Sequence, residues 1–265
     1  MKSLVLLFAF AAVVTAQKPG VQTIVQKSVE ANQADFEAAP HFNYKERDRN
    51  PDGTSKTYQV TMIEGTPYQR LIEVNGKPIS PEQNAEEMKK QQQEAARRRA
   101  ESPDQRKQRI ADYEKGRQRD HEMIEQLTKA FDFKLVGSRK VRGFSVWLLK
   151  ATPRAGYKPP NMNAQVLTGM QGQMWIDQKT HNWVKVTAQV IHPVSIAGFL
   201  AQVEPGTRFE LEKSPVPGGT WQPSHFAMKS QAKVLFLFNK SSQQDSTFFD
   251  YEPIGAQPKS ATSGE

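Results

Sequence analysis

QGQMWIDQKTHNWVKVTAQVI, residues 171–191, holds two strand patterns joined by a polar turn. In Gln173–Ile176, Met174 and Ile176 alternate with Gln173 and Trp175. Asp177-Gln178-Lys179-Thr180 opens on a good turn starter. Trp183–Ile191 then alternates: Val184, Val186, Ala188 and Val190 point one way, and Trp183, Lys185, Thr187 and Gln189 the other. Period two marks a strand with one buried face, and two such strands across a short turn make a hairpin. Trp175 and Trp183 fall near the two ends of that hairpin, placed to pair across it.

The flanking segments extend the sheet. Upstream, His41–Arg49, Lys56–Ile63 and Tyr68–Val74 read as three strands, separated by Asn50-Pro51-Asp52-Gly53 and Glu64-Gly65-Thr66-Pro67. Phe133–Val136 and Gly143–Ala151 precede the hairpin, with Gly137-Ser138 as a break, and Thr152–Asn163 is a loop. Downstream come Phe199–Val203, Thr207–Leu211, Trp221–Lys229, Ala232–Asn239 and Asp245–Tyr251. Val21–Ala38 carries Ile24, Val25 and Val29 at helical spacing and stops at Pro40. That stripe needs a partner, and the sheet is the large one.

So many sequential antiparallel strands twist and curl. The expected fold is mainly β (α+β): a curled antiparallel sheet forming a half-open β-barrel, covered by the N-terminal helix. Residues 17–253 are read as a single domain, and the Gly/Ser/Pro-rich residues 254–265 as a disordered tail.

Residues 80–130 interrupt the strands with a long charged helical insertion. Ser80-Pro81-Glu82-Gln83 and Ser102-Pro103-Asp104-Gln105 are both helix starts, serine as N-cap followed by proline. The first helix has almost no apolar stripe and is expected to project. From Ile110 the stripe returns, so the second helix docks.

Charge follows the same division. The chain of 265 residues carries +8, and Lys89–Arg119 alone holds eleven Lys/Arg against five Asp/Glu, +6, leaving +2 elsewhere. Residues 1–16 read as a signal peptide: Lys2, the apolar run Leu4–Val14, and small residues through Ala16. The run is shorter than the roughly 20 residues that cross a bilayer. The expected location is therefore the periplasm or outside the cell. With no cysteine, the chain has no disulfide and no thiolate chemistry.

Gly172-Gln173-Met174-Trp175-Ile176-Asp177 followed by Trp183–Val190 is similar to the "G-x-(V/L)-W-I-D, polar turn, strand" hairpin of the periplasmic lipoprotein-carrier (outer-membrane lipoprotein-sorting) superfamily. Phe209–Leu211, Trp221-Gln222-Pro223 and Phe248-Phe249-Asp250-Tyr251 add to the resemblance. It implies a half-open β-barrel with helices over its concave face and an apolar cargo. It also implies an arginine latching the lid helix, for which Arg70 is the candidate. The insertion has no counterpart in the family.

The function expected on these grounds is a carrier that shelters a lipid or a lipoprotein acyl chain, without covalent chemistry. Its wall would be the apolar concave face: Met62, Ile72, Val74, Val146, Leu148, Val184, Val186, Val190, Leu235 and Leu237. The same alternation also describes a filled core. Lys89, Lys90, Arg97, Arg98, Arg99 and Arg106 are candidates for contact with an anionic membrane surface or an envelope protein. The competing reading of that run is a solvated helix with internal ion pairs. The alternative function is an envelope interaction or sensor module built on this insertion. The five histidines form no HExxH-type pattern. There is no nucleophile elbow and no phosphate loop. No enzyme, metal or cofactor is therefore expected, and export argues against nucleic acid.

Overall fold

Helix α1, Val21–Ala38, has the predicted bounds and buries Ile24 and Val25. It ends at Ala39, where a short 3-10 turn carries Pro40. The computed structural model describes residues 19–196, 201–234 and 238–255. The signal peptide, most of the tail, Phe199, Leu235 and Leu237 lie outside the described residues.

Strands β1 (Phe42–Arg49), β2 (Ser55–Ile63) and β3 (Thr66–Val74) form the expected meander, edged by the short β4 (Lys77–Pro78). A second meander contains β5 (Phe131–Val141), β6 (Phe144–Pro153), β7 (Met170–Asp177) and β8 (Trp183–Val190). After the short β9 (Val194–Ile196) and β10 (Ala201–Val203) come β11 (Arg208–Pro215), β12 (Trp221–Val234) and β13 (Phe238–Pro253). Strand β13 pairs with β1 and joins the two meanders. The order is β4-β3-β2-β1-β13-β12-β11-β8-β7-β6-β5, with β10 attached to β12 and β9 to β10. Strands β4 and β5 remain unpaired to each other, so the sheet curls without closing.

Three local readings change. Gly137 does not break a strand: β5 runs through it with a bulge at Val136. A 3-10 helix at Asn163–Gly169 follows the expected loop, in a stretch to which the residue pattern assigned no element. The segments read as Trp221–Lys229 and Ala232–Asn239 are largely one strand, because Ser230 and Gln231 pair with Ser242 and Ser241 in an unbroken ladder.

The insertion is two helices, α2 (Pro81–Arg99) and α3 (Pro103–Ala130). Both serine caps form, the second with its full reciprocal box. Helix α2 does not project: it packs along β3 and buries Ala95 and Arg98. Arg98 donates to the carbonyls of Ile63 (3.0 Å), Thr66 (2.8 Å) and Pro67 (3.3 Å) and to Glu94 (2.6 Å). Helix α3 begins against the β2–β3 turn, where Arg109 donates to the Glu64 carbonyl (3.0 Å) and Thr66 Oγ1 (2.7 Å). It ends by leading into β5, with Leu127 packed on the core. At about 1.5 Å per residue it is roughly 42 Å long and bridges the two sides of the open sheet.

Candidate functional site

The helices cover one face of the sheet, here called the inner face. Beneath α1 it is filled. Ile24, Leu149 and Ile176 are fully buried, and Met174, Trp147, Trp183 and Val186 complete the cluster. A polar lock fixes the helix there. Lys213 of β11 donates to Asn32 Oδ1 (2.9 Å) and to Asp35 of α1. Asp35 also accepts from the Trp221 amide (2.8 Å), and Gln222 donates to the Asp35 carbonyl (3.0 Å). With its amide oriented to suit, Asn182 donates to Asp35 (3.0 Å) and accepts from Trp221 Nε1 (3.2 Å). Burial pushes the Lys213 ammonium below its usual range. Arg70 takes no part in this lock; it donates to Asn84 of α2 (2.9 Å).

Across β11, β12, β13, β1 and β2 the inner face is different. Register places Leu211 opposite Phe226, Phe226 opposite Ser246, Ser246 opposite Asp48, and Glu46 between Phe248 and Tyr58. Directly opposed residues share a face. Phe209, Phe226, Met228, Phe248, Tyr44 and Tyr58 therefore form one wall, and all six are only half-buried. Phe209 and Phe226 meet edge to face at 5.4 Å, and Tyr44 lies 6.1 Å from Phe248. Arg117 of α3 packs 4.2 Å over Phe36 at the end of α1 and 5.7 Å from Tyr113.

Two carboxylates sit in that wall. Asp48 accepts from Ser246 (2.6 Å), and Glu46 accepts from Gln69 (2.8 Å). Burial, and then the charge of Asp48, push the Glu46 carboxyl up to about 7. Half of such groups are neutral near pH 7, which lowers the cost of placing an apolar occupant beside them.

The ten sequence-predicted wall residues do not share one surface. Val186 lies in the cluster under α1, and Val190 packs with the 3-10 helix. Val146 and Val184 lie in another cluster with Trp221. Leu148, two residues from Val146, is buried on that same opposite face. Val146 and Leu148 simply alternate with the inner-facing Trp147 and Leu149, whereas Val184 is turned by a bulge: Trp175 pairs with Lys185 and Ile176 with Trp183, which leaves Val184 unpaired and reverses its side chain. The two tryptophans consequently sit in different clusters and do not pair. Met62 is half-buried near the β2–β3 turn, Ile72 sits in a bulge of β3, and Val74 is 37% exposed.

The basic residues are largely paired within the chain. Lys90 pairs with Glu87 (2.7 Å), and Arg97 with Glu94 (2.6 Å) and Glu101 (3.2 Å). Arg106 and Arg99 approach Glu64 at 3.4 and 3.9 Å. Arg98 is buried, and Lys89 is exposed. The wall aromatics were missed because β1 alternates tyrosine and acid on one side with Lys45 and Arg47 on the other. Neither side of that pattern reads as core.

No protein-family model matches the chain, and no curated protein matches it. Among solved structures, the chain is similar to an outer membrane lipoprotein-sorting protein domain from Vibrio parahaemolyticus. Identity is 11% over 89% of this chain and 95% of that one, with a TM-score of 0.32. A LolA superfamily protein from Nitrosomonas europaea matches at 10% identity over 90% and 96% of the two chains, TM-score 0.32. A DUF1329 family protein from Desulfovibrio piger matches at 10% identity over 89% and 95%, TM-score 0.31. The first two carry the name of the superfamily that the Gly172–Asp177 hairpin resembles. Among the described residues, no helix is long and apolar enough to cross a membrane.

Proposed function

We propose that the chain is an exported binding protein that takes an acyl chain, free or on a lipoprotein, onto the uncovered aromatic part of its inner face, without covalent chemistry. One observation carries this reading. The inner face is filled under α1, yet Phe209, Phe226, Met228, Phe248, Tyr44 and Tyr58 stay half-buried. An acyl chain laid on such a wall gains roughly 0.8 kcal/mol per buried CH₂. The cargo surface therefore lies away from Val186, towards the seam between β12, β13 and β1. Partner capture through the insertion is less supported, because most of its cations are already paired with carboxylates of this chain.

The test is to extract the purified protein with organic solvent, seek lipid by mass spectrometry, and titrate a fluorescent fatty acid. Phe226→Asp and Met228→Asp, each retaining the native circular dichroism, should weaken uptake about ten-fold or more. Uptake unchanged in both folded variants overturns the assignment.

A further inference from the structure

The sheet's outer face, opposite the helices, carries a trough of about 730 Å³ running over β6, β7, β8, β11, β12 and β13. Its walls are two rows of outward side chains. In one row Gln189, Arg208, Lys229 and Gln243 are successive cross-strand partners. In the other, Lys150 faces Gln173, which faces Thr187. Between the rows run Gly172, Ala188 and Phe209, mutual cross-strand partners on the inner-facing register, so backbone forms the floor here. With strands about 4.8 Å apart, the first row extends about 14 Å from β8 to β13.

These side chains have little to do within the protein. Among the described residues, Lys150, Arg208 and Lys229 have no carboxylate at ion-pair distance, and Gln173, Gln189 and Gln243 make no side-chain hydrogen bond. The two acids of the trough are engaged: Glu210 by Lys185 (2.6 Å), Asp245 by His225 (3.2 Å). What remains is a concave line of cations flanked by amides, each a hydrogen-bond donor to ligand oxygens.

We propose that this trough binds a linear acidic polysaccharide, its carboxylates meeting Lys150, Arg208 and Lys229 and its hydroxyls meeting the glutamine amides. Charge complementarity selects an anion. Amides at both ends of the Arg208–Lys229 pair, and Gln173 beside Lys150, select a ligand that carries neutral hydroxyls as well as charges. Single-stranded nucleic acid needs rings on which bases stack, and the only aromatic residue in the trough, Phe209, turns its ring to the inner face. A flat bilayer cannot follow a concave floor.

The experiment uses the full chain and fluorescently labelled hexamers: oligogalacturonate, its methyl ester, and oligodeoxythymidine. Oligogalacturonate should bind, weaken as salt rises, and weaken about ten-fold in the Lys150→Ala/Arg208→Ala/Lys229→Ala variant. The same charge removed from the insertion, in Lys89→Ala/Arg99→Ala/Lys107→Ala, should leave binding unchanged. Equal binding of the methyl ester, equal binding of oligodeoxythymidine, or equal loss in the two triple variants overturns the proposal. So does the absence of any oligogalacturonate binding at low salt.

Discussion

Lys213 of β11 and Asp35 of α1 form an ion pair in the interior, their side chains 7% and 6% exposed. The pair joins the helix to the sheet where Trp221 and Gln222 also bond to Asp35. Removing one partner leaves the other charged and buried. Lys213→Met should destabilise the fold by about 3–5 kcal/mol. Adding Asp35→Leu should recover only part, because the Trp221 amide and Asn182 then lose the carboxylate as well. Urea unfolding of the two single variants and the double variant measures the coupling. A Lys213→Met protein within about 1 kcal/mol of the parent would remove the lock from the account.

The Glu46 carboxyl, pushed up to about 7 from 4.5, makes stability depend on pH in a defined direction. Between those values the folded chain keeps a proton that the unfolded chain has lost. Stability is therefore greatest below pH 4.5 on this account, falls through the window, and is level above pH 7. Because the group is only partly buried, solvent screening limits the fall to about 1–2 kcal/mol. Glu46→Gln should abolish it and raise stability at neutral pH. Urea midpoints that track the parent across the window would contradict this.

Gly172 is needed for space. A Cβ there would lie 2.5 Å from the Thr187 carbonyl oxygen and 3.4 Å from Ala188. Gly172→Ala should cost about 1–3 kcal/mol. Gly137, in the β5 bulge, has nothing within 4 Å of the same position. Gly137→Ala should be neutral or slightly stabilising, since it restricts the unfolded chain. Thermal midpoints for the two variants should separate clearly, and equal midpoints would refute the steric argument.

Arg98 satisfies three carbonyls of the β2–β3 turn with one guanidinium. Lysine cannot reproduce that fork. Arg98→Lys and Arg98→Ala should therefore both release α2, by roughly 2–4 kcal/mol. Limited proteolysis would then cut near Ala100 in the variants and spare the parent. Rescue by lysine would show that charge alone holds the helix.

Much of the architecture was legible in residue patterns. Helix α1, the first meander, both serine caps and the central hairpin all follow from short-range rules that tertiary packing did not override. The faces were less legible. One bulge at Val184 reversed a side chain that alternation had placed beside Val186. The wall of the candidate site was hidden for a different reason. Tyr44, Glu46 and Asp48 share a face by alternation, but that face joins Phe248 and Ser246 only because β13, some two hundred residues later in sequence, pairs with β1. Arg98 looked like one cation in a solvated run, and nothing local marks it as buried against a distant turn.

Helix α3 is pinned at both ends, by Arg109 at the β2–β3 turn and by its direct continuation into β5. A hydrogen-bonded helix neither stretches nor shortens appreciably, so it acts as a spacer bar between the two rims. The aperture of the hollow is thereby written into the number of residues from Pro103 to Ala130. Adding or deleting one turn would change it by about 5.4 Å, and with it the space left over the aromatic wall.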